Sequence, residues 1–190
     1  RERTLSKARR TTGKGVHYIL GKGGFDPSRK MTRTCDCSGF VAWAIGIPRE
    51  LPPGSGNWLQ TTTYWEGGGS AGTGLFDPVP ENLTEPGDII VYPDRGNKQG
   101  NMVIVSAVEN GYVTKVIHCS SGNDRKFNDA IQETVPTVFR RIAKTRIMQV
   151  DYPALRDLFN LSEPEDGEEE SVDIPVADNK LDHPLLVADE

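Results

Sequence analysis

The pattern of apolar positions changes character along the chain. From Thr4 to Val16 a few small apolar residues are interleaved with basic ones, which predicts a short helix ending near Gly13 or Gly15. A glycine-rich turn, Gly21-Lys22-Gly23-Gly24, and a polar loop to Arg33 come next. Ser38 to Ile45 reads SGFVAWAI, almost wholly apolar, and predicts a buried helix with Asp36 as its N-cap and Gly46 as its stop. Residues 52–80 are loop-rich, with Pro52-Pro53, Gly54, Gly56 and the run GGGSAGTG from Gly67. Beyond them Ile89 to Tyr92, Met102 to Val108 and Val113 to His118 are β-rich runs separated by turn residues. The Asn110-Gly111 step predicts a hairpin between the last two. Further strands are expected over Val138 to Ile142 and Arg146 to Val150, then one or two helical turns over Tyr152 to Leu161. Helices first and an antiparallel sheet after them predict an α+β fold.

Charge divides the chain in two. Of 27 acidic and 22 basic side chains, residues 151–190 hold 13 and 2, which leaves 14 and 20 for residues 1–150. The overall −5 is therefore a body of +6 and an end of −11. The expected organisation is one domain over residues 1–150 and an acidic C-terminal extension or linker over 151–190, with Glu163 to Glu170 solvated. The opposite signs raise the idea that the extension folds back on the body and competes with an anionic substrate. No apolar run approaches the roughly 18 residues of a membrane span, and Arg1-Glu2-Arg3-Thr4 shows no apolar leader. Basic residues near the N-terminus are few and lack interleaved aromatics, so nucleic acid is not an expected partner.

Three cysteines permit at most one intramolecular bridge and leave one thiol over. The most informative segment is Thr34-Cys35-Asp36-Cys37-Ser38-Gly39-Phe40. It puts Cys37 in the first turn of the apolar helix, where unpaired N–H groups and the helix dipole favour a thiolate. A thiol so activated is a nucleophile, and the plainer alternative is a small buried hydrophobe.

That segment resembles the active-site stretch of the NlpC/P60 cysteine peptidases. Three further pieces resemble family motifs in the same order: Gly15-Val16-His17-Tyr18 with Gly21, Pro86-Gly87-Asp88-Ile89-Ile90-Val91-Tyr92, and Val116-Ile117-His118-Cys119-Ser120-Ser121-Gly122. The resemblance covers about residues 13–123. It implies a papain-like fold, with the cysteine helix packed on the sheet, and an extracellular or periplasmic hydrolase of peptidoglycan stem peptides that needs no cofactor. By position it implies Cys37 as nucleophile, His118 as the residue orienting the base, and Tyr18 on the substrate side. Asp36 and Ser38, which flank Cys37, and Trp65 join Tyr18 as candidate substrate-binding residues. Trp58, Tyr64 and Trp65 lie in the long loop region and read equally well as the rim of a substrate groove or as packing under that loop.

The family's catalytic histidine falls on Asn101, in Gly100-Asn101-Met102-Val103-Ile104-Val105. Asparagine does not titrate and cannot take a proton from a thiol. Three accounts stand: a natural pseudoenzyme that binds wall peptides, an inactivated variant of an active enzyme, or a permuted set with His118 as base and Asn101 orienting it. His17 reads as a partly exposed structural histidine and His183 as solvated. Cys35, Cys37, Cys119 and His118 are the right types for a zinc site, but the adjacent His-Cys pair points to opposite faces of a strand, so no metal is expected. A Cys35–Cys119 disulfide is the alternative use of those residues.

Overall fold

A computed structural model describes residues 1–50, 55–56, 58–67 and 74–159. The expectations for Pro52-Pro53, for the glycine run past Gly67, for His183 and for the acidic stretch beyond Phe159 lie outside the described residues. Among those described, no helix is long and apolar enough to cross a membrane.

The architecture is α+β. Helix α1 (Glu2–Arg10), the short parallel pair β1 (His17–Tyr18) and β2 (Thr34–Cys35), helix α2 (Cys37–Ile45) and helix α3 (Thr61–Trp65) come first. Then come β3 (Phe76–Val79), β4 (Ile89–Tyr92), β5 (Asn101–Glu109), β6 (Tyr112–Cys119), α4 (Ser121–Phe127), β7 (Ile131–Thr134), α5 (Thr137–Arg140), β8 (Arg146–Val150) and α6 (Tyr152–Phe159). The six long strands form one antiparallel sheet in the order β3-β8-β4-β5-β6-β7, so β8 inserts between the first two.

Local chemistry explains most of these elements. Asp36 caps α2 by accepting the Gly39 N–H at 2.8 Å, and Gly46 ends it in the left-handed region at φ 89°. At the β5–β6 hairpin both Asn110 (φ 51°) and Gly111 (φ 78°) have positive φ, the conformation a tight antiparallel turn requires. Helix α1 stops at Arg10, short of the expected glycines, because the Thr11 and Thr12 hydroxyls donate back to the Ala8 and Arg9 carbonyls.

One expected strand is a helical turn instead. Val138 to Arg140 fall in α5 and Arg141 and Ile142 follow its end; the helix is opened by Pro136, whose carbonyl accepts the Phe139 N–H. Phe139 and Ile142, three residues apart, turn inward together, which is helical spacing. The pattern of β-branched and aromatic residues there reflected burial rather than extension.

The sheet is apolar on both faces. Ile89, Val91, Met102, Ile104, Ile117, Cys119, Met148 and Val150 join the core formed with α1, α2 and α3. Ile90, Tyr92, Val103, Val105 and Val116 face the other way, where Phe139 of α5 covers them. Away from the β-bulge in the β5–β6 pair, strand alternation therefore sorts the central strands' residues between the α2 side and the α5 side.

Candidate functional site

Cys37 is the first residue of α2 and is 6% exposed. Its sulfur is reached by the backbone N–H groups of Met102, Ser38 and Cys37 itself. The start of β5 thus meets the start of α2 at this atom. The sequence pattern predicts a lowered thiol pKa at a helix N-terminus. Burial, joined by the neighbouring Asp36 carboxylate, instead pushes it up to about 12, and the three N–H groups offset that only in part. The Cys37 side chain is a neutral thiol at physiological pH.

Asp36 is 1% exposed, and its carboxylate is fully engaged by the protein. One oxygen takes the Gly39 N–H and the Ser38 hydroxyl (3.2 Å); the other takes the Gly21 N–H (2.7 Å) and the Arg49 guanidinium (2.5 Å). Ser38, also buried, is held in this cluster by Asp36 and Arg49. Both side chains are engaged within the protein and fix the helix start.

The segment around Lys22 is a wedge packed against that helix start. The Gly24 N–H donates to the Gly39 carbonyl, the Asp36 N–H to the Lys22 carbonyl, and Arg49 also donates to the Lys22 carbonyl. A Cβ on Gly39 would lie 2.6 Å from the Lys22 carbonyl oxygen and 2.8 Å from the Gly23 Cα. Glycine at 39 is what lets the wedge approach.

Tyr18 packs beside the same core. Its N–H donates to Asp124 at 2.9 Å, and burial, followed by the proximity of Cys37, raises its hydroxyl pKa. Its neighbour His17 is turned outward and bonds Asp124 through Nδ1 at 3.1 Å. Trp65 packs against the same core, its indole N–H donates to the Lys144 carbonyl at 2.7 Å, and the Arg146 guanidinium lies 3.6 Å from its ring centroid. Trp58 is exposed and carries the Arg49 guanidinium at 4.7 Å.

Asn101 opens β5 directly opposite Tyr92 on β4. Its side-chain oxygen accepts the Met102 N–H at 2.8 Å, and its side chain also hydrogen-bonds the Tyr92 hydroxyl. Asn101 thus immediately precedes Met102, and its amide is engaged locally by Met102 and Tyr92.

His118 is placed away from Cys37. On β6, Ile117 and Cys119 point to the α2 side, while His118 lies edge-on to Phe139 at 6.2 Å on the α5 side. Its Nε2 meets the Thr134 hydroxyl at 3.0 Å and the Asn123 amide at 3.4 Å, and its Nδ1 is buried without a partner. Burial lowers its pKa to about 4, so the ring is neutral. Cys35 and Cys119, by contrast, lie together near Cys37, with their sulfurs 3.0 Å apart. Three cysteines on one side and the histidine on the other do not converge, and among the described residues no group of three or more His, Cys, Asp or Glu is arranged around an ion.

Arg49 is not singled out in the sequence, and Tyr64 reads there only as a groove rim or as packing. Arg49 reaches Asp36 across a loop, and Tyr64, fully buried with an unpartnered hydroxyl, is close enough to feel Arg49, Asp36 and Cys37. A lone arginine after Pro48, just past an apolar helix, is the one hint.

No protein-family model matches the chain, and no curated protein matches it. Among solved structures, it is similar to a Staphylococcus aureus protein described as similar to a lipoprotein of the NLP/P60 family. The identity is 14% and the TM-score 0.47, over 76% of this chain and 40% of that one. The chain spans about two-fifths of that protein's length.

Proposed function

We propose that this domain binds peptidoglycan stem peptides at the surface around Cys37 and does not cut them. The observation that carries this reading is the state of the thiol. Cys37 stands where the resemblance puts a nucleophile, yet burial pushes its thiol up to about 12. Asn101, which the resemblance puts in the place of the base, has its amide engaged by the Met102 N–H. His118, the other candidate base, is turned to the α5 side. Peptide hydrolysis by a thiol needs a thiolate and a group that returns a proton to the leaving amine. Among the described residues the raised thiol and the turned-away His118 favour neither requirement, whereas a recognition surface needs neither. The ligand class rests on the four motifs in register, and with it an extracellular or periplasmic location.

The hydrolase reading is kept by one observation. The backbone N–H groups of Cys37 and Ser38 lie beside the sulfur at the start of α2, the kind of donor pair that would steady an oxyanion there. On that reading the Cys37 thiolate attacks the peptide carbonyl, the C–N bond breaks and the amine leaves with the proton that a base took from the thiol. Water then hydrolyses the thioester to the free acid and the thiol.

The deciding experiment incubates the protein and an Asn101→His variant with wall fragments, following stem-peptide cleavage by mass spectrometry and binding by calorimetry. Binding by both with no cleavage by the unaltered chain is expected. Cleavage by the unaltered chain overturns the reading, and cleavage by the variant alone marks an enzyme whose base was lost at position 101.

A further inference from the structure

We propose that Cys35 and Cys119 form a disulfide that fastens the strand leading into Cys37 to the central sheet, leaving Cys37 as the free thiol. The two residues are 84 positions apart in sequence, on β2 and at the end of β6. Their sulfurs are nevertheless 3.0 Å apart, both residues are 0% exposed, and the Cys119 thiol also faces the Cys35 carbonyl at 3.3 Å. A covalent S–S bond of about 2.0 Å asks each sulfur to move by roughly half an ångström. Of the three cysteines, Cys35 and Cys119 are the two whose sulfurs are in contact, which leaves Cys37 as the single thiol. The odd cysteine count is thereby resolved into one pair and one single thiol.

The chemistry needs a disulfide oxidant, such as oxidised glutathione. One cysteine thiolate attacks a glutathione sulfur and expels the other glutathione as a thiolate. The second cysteine then attacks the mixed disulfide and expels the second glutathione. Two cysteine thiols lose two electrons to one glutathione disulfide, and the two protons end on two glutathione thiols. Because neither sulfur is exposed, the exchange takes place in the unfolded or opened chain, and the bond forms as the protein folds in an oxidising compartment. This inference is independent of whether the Cys37 site cuts or only binds.

The test refolds the reduced, denatured full chain in a glutathione redox buffer. The product is quenched in acid, unfolded, and labelled with iodoacetamide. Mass spectrometry should find one label, on Cys37, and a covalent link between the peptides bearing Cys35 and Cys119. A Cys37→Ser chain should take no label until it is reduced, and two afterwards. Three labels on the unaltered chain, two on the oxidised Cys37→Ser chain, or a link that includes Cys37 would each overturn the proposal.

Discussion

Arg49 closes a 2.5 Å ion pair with Asp36, the residue immediately before Cys37, and both side chains are almost completely buried. The pair joins the loop after α2 to the cap at its start, and Arg49 also holds the Lys22 carbonyl and stacks on Trp58. The position of Cys37 is thus set by a charge pair outside the helix as well as by the helix itself.

Removing the arginine leaves a carboxylate buried without its counter-charge. Arg49→Ala is expected to destabilise the fold by about 3–5 kcal/mol, read as a lowered midpoint in urea unfolding. The double variant Arg49→Ala/Asp36→Asn should recover part of that loss, because the orphaned charge goes with it. A single variant as stable as the parent would contradict this account.

Gly39 is the hinge of the close approach between the Lys22 wedge and α2. Gly39→Ala should destabilise by about 1–3 kcal/mol despite the helix preference of alanine, because the new methyl meets backbone atoms that cannot rotate away. Gly111→Ala should also destabilise, for a separate reason: φ at that position is 78° and the cost is conformational. Thermal unfolding of both variants checks the pair.

His118 predicts an acid-labile fold. The ring is neutral in the folded chain down to about pH 4 but protonates near 6.5 when unfolded, so the unfolded state binds the extra proton first. Its contribution is fully present above pH 6.5 and falls away towards pH 4, on the order of 3 kcal/mol in all. His118→Gln should flatten stability against pH across that window. An unchanged slope would mean that another group carries the acid sensitivity.

Cys37 should be slow to alkylate. With the thiol raised to about 12, its thiolate fraction near pH 8 is on the order of a thousandfold below that of an ordinary cysteine. The site-resolved iodoacetamide rate should keep rising past pH 10 instead of levelling near 8.5. A plateau near 8.5 would show an unperturbed thiol and remove the main support for a non-cutting site.

The sequence determined what is decided within a turn or two of chain. The α2 helix with Asp36 and Gly46 at its ends, the Asn110-Gly111 hairpin and the strands over 89–92, 102–108, 113–118 and 146–150 were all legible. Each depends on a cap, a positive φ or a short apolar run that neighbouring residues supply. The same reasoning failed at Val138 to Ile142, where apolar residues served a helical turn over the sheet. Tertiary structure alone decided the insertion of β8, the reach of Arg49 to Asp36, and the meeting of Cys35 with Cys119. It also decided the state and surroundings of the site. Alternation along β6 could be read from the sequence, but which alternate residues face α2 could not, because a strand shows its period locally while its parity is set by what packs on each face. That parity sends Cys119 towards Cys37 and His118 away from it, and burial by the surrounding fold overrides the helix terminus in setting the charge of the thiol.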